Sequence, residues 1–285
     1  MRNCLSFLLF MISLVANGQF RNIPHQFIRH LINEKFYDEA IVILNEKLHH
    51  AVSQTELDSL NFMLGKTYYI QQKLPESIHY LDLVSEKNTV LGTEAKFFSA
   101  FNEAYLRKFN KSFRKFKDLH TISEDQRQLR IFELAGVSLL QNDLNHFDSL
   151  KKKFATTWTL GIEQENNFVA YKGFLEQIDK KKPAVAGLLS AVIPGAGKFY
   201  AGRKGNGIFT LLISTLLGLQ TYEAYQKDGP SSARFIIYGS LFTTFHVANI
   251  WGSVLAVNLV RNEKKDAVQN QILLDMHIPL RTLFQ

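Results

Sequence analysis

Cysteine is nearly absent. The one cysteine, Cys4, sits close to the amino end, so disulfides contribute nothing to the fold, and Cys-based metal or redox chemistry is excluded. Proline is scarce too, with six in 285 residues. No stretch alternates apolar and polar residues for long enough to make a sheet, and the chain reads as all-α. Recognisable catalytic patterns are also missing, with neither a zinc-protease H-E-x-x-H nor a nucleophile elbow. Gly197-Lys198 fails as a phosphate-binding loop, because Val192 stands where the leading glycine is needed and Phe199 where the hydroxyl residue is. Gly195-x-Gly197 lacks the third glycine of a dinucleotide fingerprint, since that position is Tyr200. Glu76-x-x-His79 has the spacing of a carboxylate-bridged metal pair, but no second such pair exists, and His49-His50 is isolated. No catalytic, cofactor-binding or metal-binding residue is expected, and the chain reads as a non-enzyme.

Basic residues outnumber acidic ones, 33 to 26, giving a formal charge of +7 and a pI near 9.3. Such a balance favours anionic partners. Nucleic acid is not the expected one, because the chain opens like an exported protein, and lysines beside apolar segments are accounted for by lipid head groups. At the amino end Arg2 precedes an apolar run from Leu5 to Val15, broken only by Ser6 and Ser13, and then Ala16-Asn17-Gly18. This predicts a signal peptide over residues 1–18, since the run is far short of the ~20 residues that a membrane span needs.

Residues 19–179 place their apolar side chains three and four apart, which predicts consecutive amphipathic helices. The clearest unit has Leu64-Gly65-x-x-Tyr68 on one helix, a break at Lys73-Leu74-Pro75, and Ser77, Tyr80, Leu81 and Val84 on the next. A second has Leu134-Ala135-Gly136, a break at Asn142-Asp143, then Phe147, Leu150 and Phe154. Weaker units fit over Phe27 to Leu48, with a break at Asn33-Glu34-Lys35, and over Phe97 to Leu119. Leu64, Gly65, Tyr68 and Gly136 are the predicted repeat core, the glycines admitting close neighbours. These residues resemble the tetratricopeptide repeat, although Asn61 stands where its tryptophan is expected and Ser77 where its alanine is. The resemblance implies stacked hairpins whose curved surface binds another protein or a peptide.

Lys180-Lys181-Lys182-Pro183 marks the boundary with an apolar domain over residues 180–262. Three segments are expected in the bilayer, at about 184–200, 207–222 and 235–259, followed by a polar tail, 263–285. Gly187, Ala191 and Gly195, four apart, would form a ridge on the first segment that suits helix association in lipid, including self-association of copies. With the repeats outside the cytosol, three crossings put the carboxyl end inside, and basic residues fall evenly enough on both sides that the positive-inside rule does not choose an orientation. His246 and Asn249 share one face of the third segment. A buried polar pair there reads as an ion path or as an interhelical hydrogen bond, to Ser190, Ser214 or Thr215.

The run Pro194-Gly195-x-Gly197-x-x-Tyr200-x-Gly202, continuing to Gly207, resembles a motif of bacterial small membrane domains of unknown function related to the two-transmembrane-helix domain family. Glutamine is the commoner residue where Lys198 stands. Joined to a repeat region and a signal peptide, it resembles a Bacteroidetes-type envelope protein, anchored in the bacterial inner membrane with its repeats in the periplasm. The resemblance implies no activity. The expected function is non-catalytic binding or scaffolding of an envelope protein, with membrane lipid as the other partner. The alternative is a role in transport or in membrane-protein insertion carried by the glycine-rich domain.

Overall fold

A computed structural model describes residues 23–85, 89–155, 158–178 and 180–284. The expected signal peptide lies outside these residues. Every regular element among them is helical, and the chain divides into two compact units. The first comprises the chain up to Phe168 together with the segment from Ile272 onward, and the second runs from Val169 to Gln271.

In the first unit the helices are α1 (His25–Asn33), α2 (Tyr37–His50), α3 (Gln54–Ile70), α4 (Leu74–Asp82), α5 (Thr89–Tyr105), α6 (Phe109–Asp118), α7 (Glu124–Leu140) and α8 (Leu144–Lys151). Neighbours in sequence pack on one another, and α3 also touches α5. Four turns join the members of the pairs, and they share one geometry. Lys35, Gln72, Arg107 and Asn142 each adopt a left-handed conformation with φ between 59° and 65°. In every case the next amide donates to a carbonyl five residues back: Phe36 to Leu31, Lys73 to Tyr68, Lys108 to Glu103 and Asp143 to Ser138. This is the Schellman closure of a helix, made here without glycine. The turns follow at intervals of 37, 35 and 35 residues. Ser53 and Ser123 begin α3 and α7 by accepting from the amides of Glu56 and Gln126, each satisfying an amide that the helix leaves unpaired.

Close packing holds the pairs together. A Cβ on Gly65 would lie 2.6 Å from the Leu81 side chain, so glycine is what lets α4 approach α3. Ser77, in place of a small apolar residue, is fully buried but satisfied. Its hydroxyl donates to the Gly65 carbonyl and accepts from Asn102 Nδ2. Leu64 is buried with Leu60 and Leu44, and Tyr68 stacks on Tyr80 at 5.5 Å. The unit extends past α8 to Phe168, whose ring stacks on Phe132 at 4.4 Å, near the start of α9 (Ile162–Ile178).

In the second unit the expected first segment does not form one helix. It is α10 (Pro183–Val192), a turn, and α11 (Ala196–Ala201). Ile193 is extended because a residue before proline avoids the helical region, and Gly195 takes φ +87°. Gly195 therefore lies in the turn and not on a ridge with Gly187 and Ala191. Gly202, at φ +96°, closes α11 with the same bond from the following amide, Arg203 to Lys198. Helix α12 (Lys204–Asp228) then leads to Gly229 and to α13 (Ala233–Leu283), 51 residues long. The expected polar tail is thus the second half of a helix. The apolar stretch of α13 makes it the one helix among the described residues that is long and apolar enough to cross a membrane.

The motif glycines admit neighbours that a side chain would displace. A Cβ on Gly197 would sit 1.9 Å from the Ala186 carbonyl oxygen, and one on Gly207 2.7 Å from the Phe199 ring. Replacing Gly197 with alanine is expected to lower the midpoint of thermal unfolding in detergent, as an overpacking cost of about 1–3 kcal/mol. Gly205→Ala, which meets nothing within 4 Å, should leave the midpoint unchanged or raise it.

Candidate functional site

One face of the first unit's helix pairs is covered by the chain's own end. Helices α3, α5 and α7 contribute Tyr69, then Phe97, Phe98 and Phe101, then Gly136. The carboxyl-terminal part of α13 covers them. Ile272, Leu273, Met276 and Leu280 are buried, at spacings that line one helical face. The Met276 side chain occupies the space left by Gly136, 2.7 Å from where a Cβ would stand. His277 stacks on Phe101 with centroids 5.1 Å apart, and Phe284 lies 5.4 Å from Phe97. Gly136 thus admits the chain's own end and Phe168, not the second helix of its hairpin.

Charge at this face is concentrated around His277. Its Nε2 is hydrogen-bonded to the Tyr69 hydroxyl. Burial, then the Arg281 and Lys66 charges, hold the imidazole below its usual pKa, while burial pushes Tyr69 up to about 12. Both shifts favour the uncharged forms, so the pair is a phenol hydrogen-bonded to an imidazole. Lys66 is itself depressed by burial against the pull of Glu94, 3.1 Å away, and its ammonium sits 3.5 Å from the centre of the Phe98 ring. On α7, Glu133 is fully buried with neither carboxyl oxygen hydrogen-bonded, and burial drives it well above the usual carboxylate range.

The second unit reverses the usual distribution of polarity. Its large apolar side chains face outward: Leu188, Phe209, Leu212 and Leu219 on α10 and α12, and Ile237, Val247 and Trp251 on α13 are all more than half exposed. The interior holds small residues instead, Ala186, Ala201, Ala224, Ala256 and Val257 together with polar side chains. Ser190, Thr210, Ser214, Asn249 and Ser253 are buried. Ser190 and Ser253 share a 2.7 Å hydrogen bond, and the Gly197 amide donates to Ser190 Oγ. His246 and Asn249 are not joined to this pair through their side chains. Nε2 of His246 lies 3.2 Å from the Ala191 carbonyl, and the Asn249 amide, almost fully buried, has no hydrogen-bond partner.

One end of the second unit is bound together by polar contacts. Tyr200 Oη accepts from the Lys182 amide, Lys181 Nζ donates to the Tyr200 carbonyl, Arg261 donates to the Lys181 carbonyl, and Arg203 pairs with Glu263 at 2.6 Å. The start of α10, the end of α11, the start of α12 and residues 261–263 of α13 therefore meet there. Tyr200 is the motif residue that ties the hairpin shut. Among the described residues no group of three or more metal-ligating side chains comes together.

No family profile matches the chain, and no solved structure matches it. Over 67 residues, 22% of its length, it is 48% identical to an uncharacterized protein of Methanocaldococcus jannaschii. The chain spans 66% of that protein, just under two thirds of its length.

The filled face is expected to open in acid. With His277 depressed in the folded state, the unfolded chain binds the proton more readily, so stability rises with pH across this window and is lost as pH falls below about 6.5. Amide hydrogen exchange over residues 272–284 should quicken from pH 7 to pH 5 beyond its intrinsic pH dependence, and His277→Gln should flatten that response. Glu133 acts with the opposite sign. Folded, it holds a proton that the unfolded chain releases above about pH 4.3, so its contribution falls as pH rises. Glu133→Gln should raise stability by about 1–3 kcal/mol at pH 8 and have little effect near pH 4, as read by denaturant unfolding.

Proposed function

We propose that this chain is a membrane-anchored, non-catalytic envelope protein whose helix pairs form a tetratricopeptide-like solenoid that binds a helical segment of another protein. The observation that carries this reading is the filled face of α3, α5 and α7. It already holds an amphipathic helix, residues 272–284, by the mode in which a groove takes a helix, with Leu273, Met276, His277 and Leu280 at i, i+3, i+4 and i+7. A partner helix would take the same face in exchange for the chain's own end.

The anchor is the second unit. Outward-facing leucines and aromatics over buried serines, threonine and asparagine suit lipid as the surrounding solvent, since polar side chains there are costly unless turned inward. Only 22% of the apolar stretch of α13 is buried, which is unlike the core helix of a water-soluble domain. Because the chain enters and leaves this unit at one end, it crosses an even number of times. Helix α12, 25 residues long but less apolar than α13, is taken to cross beside the first half of α13, and α10 with α11 to re-enter without crossing. This reading takes two crossings where hydropathy alone suggests three, and it returns residues 260–271 to the side from which the chain entered. The signal peptide read over residues 1–18 makes that side the periplasm of a bacterial inner membrane, and residues 229–232 then face the cytosol. Lys180, Lys181, Lys182, Arg203, Lys204 and Arg261 pull the other way by charge, and the exported leader is taken to prevail.

The alternative, a role in transport or membrane-protein insertion, draws on the unpartnered amide of Asn249 and the unpartnered hydroxyl of Ser214. Asn249→Leu should abolish such a role and leave helix binding intact.

Two measurements test the leading reading. A chain ending at residue 269, purified in detergent, should bind a labelled peptide of residues 270–285 saturably by fluorescence anisotropy, and Gly136→Leu should weaken this by at least about tenfold, the equivalent of 1.4 kcal/mol. Absence of binding would remove the helix-binding reading. A periplasm-dependent phosphatase fused after residue 285 should be active, and inactive when inserted at residue 230.

A further inference from the structure

We propose that the second unit holds the phosphate group of an anionic phospholipid in a pocket beside Lys198. The cavity, about 540 Å³, is lined by Lys198, Arg203 and Asn206 from α11 and the start of α12, and by Gly252, Leu255, Ala256, Asn258, Leu259 and Asn262 from α13. Its donors suit a phosphate. Two are cations, three are amide side chains, and Asn206 stands in the first turn of a 25-residue helix, where amides lack intrahelical partners.

The charge balance points the same way. Arg203 has a carboxylate partner in Glu263. Lys198 has none among the described residues, and its ammonium, partly buried, donates to the neutral Thr210 hydroxyl at 2.6 Å. A lysine ammonium carries three donors, so further positions are left for an anion, and an anion in the cavity would neutralise a charge that this unit otherwise leaves uncompensated. The same cavity is amphipathic along its length. Leu259 and Leu255, each about half exposed, lie one and two turns from Asn262 on the side of the apolar stretch. A phosphate held by the polar residues would leave acyl chains against the leucines. This part of α13 is also where the apolar stretch gives way to Arg261, Asn262 and Glu263, the level at which head groups lie.

The inference rests on the reading that this unit sits in a bilayer, and the test separates the two. The full chain is reconstituted in nanodiscs of phosphatidylcholine with a minor fraction of phosphatidylglycerol, and the lipids that remain bound on release are identified by native mass spectrometry. Phosphatidylglycerol should be retained several-fold above its share of the disc. Lys198→Gln, which keeps a donor for Thr210, and separately Asn258→Leu should abolish the enrichment, while Lys265→Gln, outside the cavity, should preserve it. Equal retention of both lipids, or enrichment that survives both cavity variants in folded protein, overturns the pocket. Inorganic phosphate is added to the detergent-purified chain in a parallel arm. Thermal stabilisation by phosphate equal to that by phosphatidylglycerol, lost in Lys198→Gln, would overturn the lipid assignment in favour of a free phosphate. A chain that stays in solution without detergent and does not enter discs would overturn the membrane reading itself.

Discussion

A row of helices that buries one face in the next pair still has a face left over, and in this protein that face is aromatic. Tyr69, Phe98 and Phe101 together carry far more apolar surface than water tolerates cheaply, at roughly 25 cal/mol for each Å². The chain covers it with its own last turns. Met276 goes where Gly136 leaves room, and His277 lies flat on Phe101. The contact is apolar in bulk but specific in its polar part, since Tyr69 is hydrogen-bonded to His277, and burial with the Arg281 and Lys66 charges disfavours a proton on the imidazole.

The second unit meets the opposite solvent problem with the opposite arrangement. Burying Ser190, Ser253, Thr210 and Asn249 while presenting Leu212, Val247 and Trp251 outward would be unstable in water. In lipid the same arrangement draws its cohesion from close backbone approach and from hydrogen bonds such as Ser190 to Ser253. The glycine motif belongs to this scheme. Gly195 makes the reversal possible, Gly197 brings α11 onto the Ala186 carbonyl, Gly207 accepts the Phe199 ring, and Tyr200 ties the open end of the hairpin to Lys181 and Lys182.

Much of the first unit was readable from residue order. The breaks at Asn33-Glu34-Lys35 and Asn142-Asp143 fall where the helices end, because polar residues mark places where a helix is least favoured, whereas of Lys73-Leu74-Pro75 only Lys73 lies in the gap and Leu74 and Pro75 open α4. At Gly65, expected to admit a close neighbour, a Cβ would meet the Leu81 side chain and not an aromatic ring. Gly136 could not be resolved the same way, since its partner is 140 residues later in the chain. Residues 263–285 looked like a tail because Pro279 and several charges interrupt the apolar pattern, yet Val268, Ile272, Met276 and Leu280 recur every four residues and carried the signal. Hydropathy could likewise report that residues 184–200 are apolar but not that they double back. That depended on the extended Ile193 and the left-handed Gly195. The pairing of His246 and Asn249 on one helical face was legible, and their lack of a shared side-chain partner was not.

The four left-handed turns have a lesson of their own. Lysine, glutamine, arginine and asparagine occupy them in succession, so what recurs is a backbone angle and a set of amide donors, with the side chain left to vary. A chain whose repeating unit is written in dihedral angles can drift in composition while keeping its stride. Kin of this protein would then share the interval between those corners more faithfully than the letters that stand on them.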